Sequence, residues 1–516
     1  MSLSVAITEP LNQGIRSRCE ERAQEGFMES LSKSDSTLWG ESAQAEASIR
    51  LGWTADPRVW SDLASEVAEV HRDLMARGIN RVVLCGMGGS SLGPEVIAAT
   101  HNLPLTIVDS THPDEVSHSV NQDLSATVVV VSSKSGGTVE TDSQKRAFEG
   151  ALRSQGLDPA GHMVVVSDPG SPLSISSLEA GYRVFDGDPT IGGRFSVLSP
   201  FGLVPAGLAG LDLARFLEAA SEGYDQCITT GPDNPALMLG VALAQGNPQV
   251  NKILYRSDPK APGFGDWVEQ LVAESTGKDG VGILPVVESS LERIDDGLSV
   301  GPSGSNSDIE VSGSIAHQMV LWEYATAVAG AELGVNPFDQ PNVESAKVAA
   351  RELLTAPTQE TRVEDSLEGL SVFTSAPATA PTSLSSIPSL LGELAGPHGY
   401  IALCVFGPRE SAHLWRGCAD ALERATGRPV TVGFGPRFLH STGQLHKGGA
   451  PEGVFLHIIQ TPQAELEIPG RDFDFWQLLL AQAHGDAEVL ARSGQPVLSL
   501  TGDASDVTRV RKALQS

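Results

Sequence analysis

Hydroxyl and ammonium groups are concentrated in one short loop that follows a run of valines. Residues 128–141 read VVVVSSKSGGTVET, which is typical of a buried strand, a loop and the start of a helix. The first turn of a helix has unpaired N–H groups that favour an anion, and Gly136 and Gly137 allow close approach of the backbone. The loop is therefore predicted to bind phosphate through Ser133, Lys134, Ser135 and Thr138. An ordinary serine- and glycine-rich turn with a helix cap is the alternative.

The ligand of this loop is predicted to be a small phosphate ester rather than a nucleotide. The loop lacks the G-K-[ST] ending of nucleotide-binding phosphate loops. A second glycine-rich loop, GMGGSSLGP at residues 86–94, has the same setting between a strand and a helix. Its spacing does not fit the dinucleotide pattern G-x-G-x-x-G. Since ligands gather at the carboxyl ends of parallel strands, we expect the two loops to form two walls of one pocket.

The elements that must position these loops follow a simple alternation along the chain. Short β-branched runs alternate with helical stretches, which indicates βαβ units and a parallel sheet, and buried parallel strands are uniformly apolar because both faces are covered. The predicted fold class is therefore α/β. The expected segments are a helical N-terminal extension (1–50), a first α/β domain with the phosphate loop (51–200), a second (201–355), a linker rich in Pro, Ser, Thr and Ala (356–395), and a C-terminal α/β unit (396–516).

One tetrapeptide, FGPR, occurs twice in the C-terminal unit, at residues 406–409 and 434–437. Two copies are too few for a repeat array. The two copies are predicted to be the ends of two strands of one sheet.

Net charge, apolar runs and cysteine content restrict the partners and the cellular location that we expect for the protein. The net charge of −29 makes nucleic acid an unsuitable partner, because phosphate backbones are bound by basic surfaces, although a local positive pocket can still bind a phosphorylated small molecule. No run of about 18 apolar residues appears, so we expect no membrane span. The five cysteines are scattered and odd in number, which favours reduced thiols and a cytoplasmic location.

The two glycine-rich loops resemble the sugar isomerase (SIS) domain, and four further segments resemble the phosphoglucose isomerase family. These are TIGGRFSVLSPFGLVP (190–205), ESTGKDGVGILP (274–285), GVNPFDQPNVESAK (334–347) and LHSTGQ (439–444). The resemblance implies doubly wound SIS-type αβα sandwiches with an additional C-terminal unit. It also implies conversion of glucose 6-phosphate to fructose 6-phosphate through an enediol or enediolate, in glycolysis and gluconeogenesis, by a homodimer that needs no metal or organic cofactor.

The resemblance also implies which residues bind the substrate. Ser133, Lys134, Ser135 and Thr138 correspond to the phosphate loop of the family, Gly89 and Ser90 to sugar contacts, and Gln340 to a residue near the phosphate. Gly137 stands where the family usually has a threonine or another side chain. One hydroxyl donor of the family's loop is therefore expected to be missing.

Four residues are expected, by the same resemblance, to act on the substrate. Glu274 corresponds to the base that moves a proton between C2 and C1, and Arg194 to the cation that stabilises the negative intermediate. Lys347 and His440 correspond to residues that assist ring opening. These types suit the reaction, because a carboxylate can act as base and then acid, a guanidinium favours a developing oxyanion, and histidine exchanges protons near neutral pH.

The sequence leaves several points open. His446, which lies close to LHSTGQ, and His317, on the predicted helix before FDQP, are alternatives to His440 as the ring-opening residue. The segment order also departs from compact bacterial relatives, because LHSTGQ follows the FDQP segment here and precedes it there. This order is similar to the isomerase half of transaldolase–isomerase fusion proteins. Since no transaldolase barrel fits before Gly86, only isomerase activity is expected. Isomerisation of another phosphosugar, such as mannose 6-phosphate, and a non-catalytic sugar-phosphate sensor remain alternatives.

Overall fold

The structure, a computed structural model, describes residues 3–9, 11–355, 365–375 and 379–516. Side chains of residues 344–347, 355 and 365 are outside this description. The strands are β1 (Ser4–Ile7), β2 (Arg81–Gly86), β3 (Leu105–Val108), β4 (Thr127–Ser132), β5 (Met163–Ser167), β6 (Arg183–Asp186), β7 (Lys252–Tyr255), β8 (Leu284–Val287), β9 (Gly297–Pro302), β10 (Ile309–Ser312), β11 (Asp365–Leu367), β12 (Leu370–Thr374), β13 (Tyr400–Phe406), β14 (Val430–Phe434), β15 (Gly453–Gln460) and β16 (Val497–Gly502).

Helices surround these strands along the whole chain. They are α1 (Leu11–Gln24), α2 (Phe27–Ser32), α3 (Glu41–Arg50), α4 (Ser61–Ala76), α5 (Leu92–His101), α6 (Pro113–Val120), α7 (Val139–Ser154), α8 (Pro172–Glu179), α9 (Pro200–Leu208), α10 (Leu213–Cys227), α11 (Pro235–Ala244), α12 (Phe264–Thr276), α13 (Ile315–Leu333), α14 (Pro341–Thr355), α15 (Ile387–Ala395), α16 (Ala412–Thr426), α17 (Gly443–Gly448), α18 (Phe475–Arg492) and α19 (Ala504–Leu514). No helix in the described part of the chain is both long and apolar enough to cross a lipid bilayer.

The first sheet has the strand order β3-β2-β4-β5-β6, and all its strand pairs are parallel. Strand β4 is buried along its entire length, as expected for a parallel strand covered on both faces. Strands β2 and β4 are neighbours, with Gly86 opposite Ser132. The two glycine-rich loops that follow these strands therefore lie side by side at the carboxyl edge of the sheet, as the sequence predicted.

The second sheet has the order β1-β10-β9-β7-β8. Strand β1 comes from the N-terminal extension and pairs antiparallel with β10, with Ser4 opposite Ser312. Residues 300–315 have the Gly-, Ser- and Asn-rich composition of a loop, but the end of β9 and all of β10 lie within this segment. Val300, Ile309 and Val311 are buried there, so burial of a few apolar side chains outweighs the surrounding Gly, Ser and Asn.

The third sheet has the order β11-β12-β16-β15-β13-β14. The edge strand β11 and its neighbour β12 form an antiparallel pair inside the stretch 356–395 that was predicted to be a linker. Leu370 and Val372 of β12 are buried, and β12 pairs antiparallel with β16. The described part of this stretch therefore belongs to the sheet rather than connecting two domains loosely, although residues 356–364 and 376–378 lie outside the described residues.

Apolar packing joins the three sheets. One large core cluster includes residues of the first and second sheets and of the N-terminal helices, such as Ile15 and Trp39. A separate cluster packs Leu254 and Ala273 of the second region against Phe406 and Phe455 of the third sheet. The prediction of an α/β fold with mainly parallel sheets is confirmed.

The buried centre of the first sheet gives a test of this architecture. Val130 of β4 is 0% exposed and Val59 is 60% exposed. We expect Val130→Ala to lower the free energy of unfolding by about 2–3 kcal/mol through lost burial and a cavity. The matched control Val59→Ala should change it by less than about 0.5 kcal/mol. Urea denaturation followed by near-ultraviolet circular dichroism measures both, and equal effects would contradict the placement of β4.

Candidate active site

The carboxylate of Glu274 is held from two sides near the C-terminal end of α12. Its Oε1 lies 2.9 Å from a terminal nitrogen of Arg194, and its Oε2 accepts a hydrogen bond of 3.2 Å from the amide of Gln270. Gln270 lies one turn earlier on the same helix, where residues i and i+4 face the same direction. Both Glu274 and Gln270 are buried, so the carboxylate has a defined orientation.

Arg194 joins this carboxylate to the segment 336–340. It lies on the short 3-10 helix Gly193–Phe195 and is only 4% exposed. Its guanidinium donates to the amide oxygen of Gln340 at 3.0 Å and to the backbone oxygens of Asp339 at 2.8 Å and Pro337 at 3.3 Å. A guanidinium fixed by several acceptors keeps its position, and Arg194 therefore stands rigidly beside Glu274.

Lys278 is a second buried cation of this region that the sequence did not single out, although it belongs to the ESTGKDG segment. Its ammonium donates to the backbone oxygens of Asn336 at 2.6 Å and Asp339 at 2.7 Å and pairs with the Asp339 carboxylate at 2.7 Å. Burial, together with the neighbouring positive charge of Arg194, lowers the pKa of Lys278 to about 8. Lys278 and Arg194 together fix the conformation of segment 336–340.

His440 reaches the same region from the third sheet. It ends the 3-10 helix Arg437–His440, and its Nε2 lies 2.8 Å from Oε1 of Glu140. Its backbone oxygen accepts a hydrogen bond of 2.8 Å from Gln270. Since Gln270 also binds Glu274, one amide connects the histidine segment to the candidate base.

Glu140 is a residue that the sequence reasoning missed, although it lies in the quoted segment 128–141. It is 4% exposed and sits in the first turn of α7. Besides His440 it binds the amide of Gln482 at 2.6 Å, and Gln482 in turn accepts a hydrogen bond from the hydroxyl of Thr111 at 2.9 Å. The amide of Gln482 and the imidazole of His440 thus meet at the same oxygen of Glu140, Oε1, and this fixed carboxylate orients the imidazole.

The two alternative histidines have other surroundings. His446 is buried among the rings of Tyr400, Phe438 and Phe455, and burial lowers its pKa to about 3. His317 bonds to the hydroxyl of Ser314 and lies 3.5 Å from Glu222, a residue of α10. The contacts with Gln270 and Glu140 therefore favour His440.

The phosphate loop lies between β4 and α7, where the sequence placed it. The hydroxyl of Ser133 donates to that of Thr138 at 3.3 Å, and the hydroxyl of Ser135 accepts from the backbone N–H of Gly137 at 3.3 Å. Lys134 pairs with Asp168 at 2.8 Å and donates to the backbone oxygen of Asp188 at 2.8 Å, and burial lowers its pKa. The charge of Lys134 is thus largely compensated within the protein.

The glycine-rich loop after β2 lies against two other segments, one carrying Arg194 and one carrying His440. A Cβ on Gly89 would stand 2.0 Å from the backbone oxygen of Gly193, next to Arg194. A Cβ on Gly88 would stand 2.6 Å from the backbone oxygen of His440. Ser90 follows and is buried. Glycine is required at both positions because the backbones of three separate segments meet here.

Two further residues predicted from the sequence, Gln340 and Lys347, lie next to the start of α14 or within it. Gln340 is exposed apart from its bond to Arg194. Lys347 falls in α14, but its side chain lies outside the described residues. The start of α14 is fixed by Gln444 of the LHSTGQ segment, which bonds to the backbone N–H of Asn342 at 3.0 Å and to the backbone oxygen of Gly277 at 2.9 Å.

Part of the chain is similar to a known protein family. The family model described as phosphoglucose isomerase matches residues 66–279, which contain both glycine-rich loops, Arg194 and Glu274. This part of the chain, and not the whole of it, is similar to the phosphoglucose isomerase family. His440 lies beyond the matched residues, in the C-terminal part of the chain.

Individual members of the family match different shares of the chain. A probable glucose-6-phosphate isomerase of Methanococcus maripaludis is 27% identical over 351 residues, which are 54% of this chain and 80% of that protein. A glucose-6-phosphate isomerase of a Cyanothece species is 33% identical over 213 residues, 38% of this chain and 40% of that protein. The crystal structure of a glucose-6-phosphate isomerase from Chlamydia trachomatis has the same fold, with a TM-score of 0.54 at 21% identity, covering 66% of this chain and 85% of that one.

The contact between Gly89 and the Arg194 segment gives a test of the site's construction. We expect Gly89→Ala to lower the free energy of unfolding by about 2 kcal/mol, because the added methyl group must displace backbone rather than a flexible side chain. Gly192→Ala is the matched control, since open space surrounds Gly192 and its φ of −69° suits alanine. Thermal denaturation measures both variants. A control that is as unstable as Gly89→Ala would argue against the close approach.

Proposed function

We propose that the protein interconverts glucose 6-phosphate and fructose 6-phosphate through an enediol or enediolate. The observation that carries this proposal is the amide of Gln270, which binds both the carboxylate of Glu274 and the backbone of His440. A base suited to proton transfer between two carbons and a histidine suited to ring opening are thereby held as one unit. Both groups must act on the same small molecule, and the shared contact with Gln270 supports the proposal that they do.

Glu274 is the proposed base of the isomerisation step. It takes the proton from C2 of the open-chain aldose and returns it to C1, acting first as base and then as acid. Negative charge develops on the substrate oxygens as the proton leaves. The guanidinium of Arg194, 2.9 Å from Glu274, is already in place to stabilise that charge, and such fixed electrostatic stabilisation is often the largest contribution to catalysis.

His440 is the proposed ring-opening residue, and Glu140 is proposed to orient it. Opening a cyclic hemiacetal requires a proton to move between the ring oxygen and the hydroxyl oxygen on C1, which suits an imidazole. A carboxylate that accepts a hydrogen bond from one ring nitrogen fixes the orientation of the ring and stabilises its protonated form. Lys347 is retained as a proposed assistant of this step through the family resemblance alone.

The phosphate group is proposed to bind the hydroxyls of Ser133, Ser135 and Thr138 together with the N–H groups at the start of α7. A helix N-terminus supplies donors and partial positive charge without a side-chain cation. Because Lys134 pairs with Asp168, it is proposed to stabilise the loop as well as the ligand. The sugar is proposed to contact Gly89 and Ser90, and the phosphate is proposed to lie near Gln340.

The wider setting follows from the proposed reaction. Glucose 6-phosphate and fructose 6-phosphate are intermediates of glycolysis and gluconeogenesis, so we propose a cytoplasmic location. A homodimer and isomerase activity without transaldolase activity stay predictions. A panel of phosphosugars including mannose 6-phosphate distinguishes the proposed substrate from the alternatives, and binding without any turnover would support a sensor instead.

Replacement of the proposed base tests the chemistry directly. We expect Glu274→Gln to lower kcat by at least about 10²-fold, because the amide cannot accept the C2 proton. A coupled assay that detects glucose 6-phosphate formed from fructose 6-phosphate measures this. Glu218→Gln, the same change at an exposed position of α10, is the control and should leave kcat unchanged. Turnover near the wild-type rate, with 6-phosphogluconate still bound, would remove Glu274 from this role.

A double-mutant cycle tests whether Glu140 acts through His440. We expect His440→Ala to lower kcat by about 10²-fold, the lower end of the usual range for acid–base catalysis. Glu140→Gln should lower kcat by a smaller factor, because the imidazole is still present. The double variant should be little slower than His440→Ala alone, since the two residues form one functional pair. Steady-state kinetics of the four proteins give the coupling. Fully additive effects would show that Glu140 has a role independent of the histidine.

A further inference from the structure

Two arginines from the repeated FGPR tetrapeptide bind the same pair of carboxylates. The two copies follow β13 and β14, which are parallel neighbours with Val405 opposite Phe434. Arg409 and Arg437 therefore leave the same edge of the third sheet. Both side chains extend to the first sheet's region of the chain, where Glu95 and Asp109 lie.

Each of the two guanidinium groups donates to both carboxylates. Arg409 donates to Oε1 of Glu95 at 2.8 Å and to Oδ1 of Asp109 at 3.2 Å. Arg437 bonds to the other oxygen of each carboxylate, Oε2 of Glu95 and Oδ2 of Asp109. Each of the four carboxylate oxygens thus receives a guanidinium N–H. We call this arrangement the arginine clamp.

Burial makes the arginine clamp rigid. The side chain of Asp109 is 0% exposed and that of Arg437 is 10% exposed. Burial opposes ionisation of Glu95, but the charges of Arg437 and Arg409 outweigh it and lower the pKa of Glu95. Removing one partner from such a group leaves a buried charge without compensation, which costs far more than the loss of an exposed ion pair. The clamp therefore fixes the positions of the segments that carry it.

Those segments are the ones that meet at the proposed active site. Glu95 lies in the first turn of α5, directly after the glycine-rich loop at residues 86–94. Arg437 begins the 3-10 helix that ends at His440. The same two segments touch where Gly88 meets the backbone oxygen of His440. The short helix Arg437–His440 is thus held at both ends, by the arginine clamp at Arg437 and by the contact with Gly88 at His440.

We propose that Arg437 is a positioning residue for His440, and that Arg409 holds the third sheet's region against the first without acting on the histidine. This inference rests on the proposed role of His440 in ring opening. Arg437 precedes His440 by only three residues within one rigid turn. Arg409 lies on the short 3-10 helix Arg409–Ser411, which carries no proposed site residue. Misplacement of a reacting group by about 1 Å can cost about 10²-fold in rate.

The matched pair Arg437→Gln and Arg409→Gln separates the two roles. Each variant removes one guanidinium from the same two carboxylates, so both are expected to lower the melting temperature by similar amounts. Only Arg437→Gln is expected to lower kcat by about 10–10²-fold, with KM changed less than threefold, because Arg437 bonds to Glu95 and Asp109 and not to the proposed phosphate loop. Arg409→Gln should keep kcat within about threefold of wild type. Equal losses of kcat in the two variants would overturn the proposal.

Hydrogen exchange gives a readout that does not depend on turnover. In the absence of substrate, amide deuterium uptake in the peptide spanning residues 437–446 is expected to rise in Arg437→Gln and to stay near wild type in Arg409→Gln. Unchanged uptake in Arg437→Gln would overturn the positioning role even if kcat fell. A wild-type protein that turns over no phosphosugar would refute the proposed function, whereas the exchange result would still decide whether Arg437 orders this segment.

A conservative variant covers the case in which Arg437→Gln does not fold. Arg437→Lys keeps the positive charge but cannot reach both carboxylates as a planar fork. It is expected to fold, to have a kcat between those of wild type and Arg437→Gln, and to show a smaller rise in exchange over residues 437–446. Full wild-type kcat and exchange in Arg437→Lys would show that charge alone, and not the geometry of the guanidinium, matters at this position, and would overturn the proposal.

Discussion

The side-chain amide of Gln270 makes the contact on which the candidate site depends. It donates to Glu274 on its own helix and to the backbone of His440, which comes from another sheet. A buried amide between two acceptors is costly to leave unpaired, so each contact stabilises the other. The carboxylate of Glu274 and the backbone of His440 therefore keep their relative position in the absence of substrate. Pre-organisation of this kind reduces the rearrangement that accompanies the chemical step.

Buried ion pairs also connect the three sheets that contribute to the candidate site. The arginine clamp connects the first and third sheets, and buried Lys252 pairs with Asp296 of its own region and with Glu452 of the third. Apolar surface brings these regions together without a preferred direction, whereas paired charges accept only a narrow range of geometries. The combination fixes the relative positions of segments from three sheets at the candidate site.

The sequence predicted the first sheet and its loops well, since parallel strands buried on both faces have an unmistakable run of valines. It predicted strands β9 to β12 poorly. These strands are short and rich in Gly, Ser and Pro, and only a few buried side chains distinguish them from loops. Local pattern also could not predict the partners of the site residues. His440 and Glu140 are 300 residues apart, and Gln270 and His440 are 170 apart, and no spacing rule within one element connects such positions.

Strand β1 has a consequence for the order in which the chain becomes structured. Ser4 pairs with Ser312, 308 residues later. At ribosomal rates of about 5–20 residues per second, the partner of β1 emerges roughly 15 to 60 s after β1 itself. Throughout that interval, the backbone donors and acceptors of β1 face solvent or passing chaperones. The edge of the second sheet is therefore closed late, by a segment made about 300 residues before its partner.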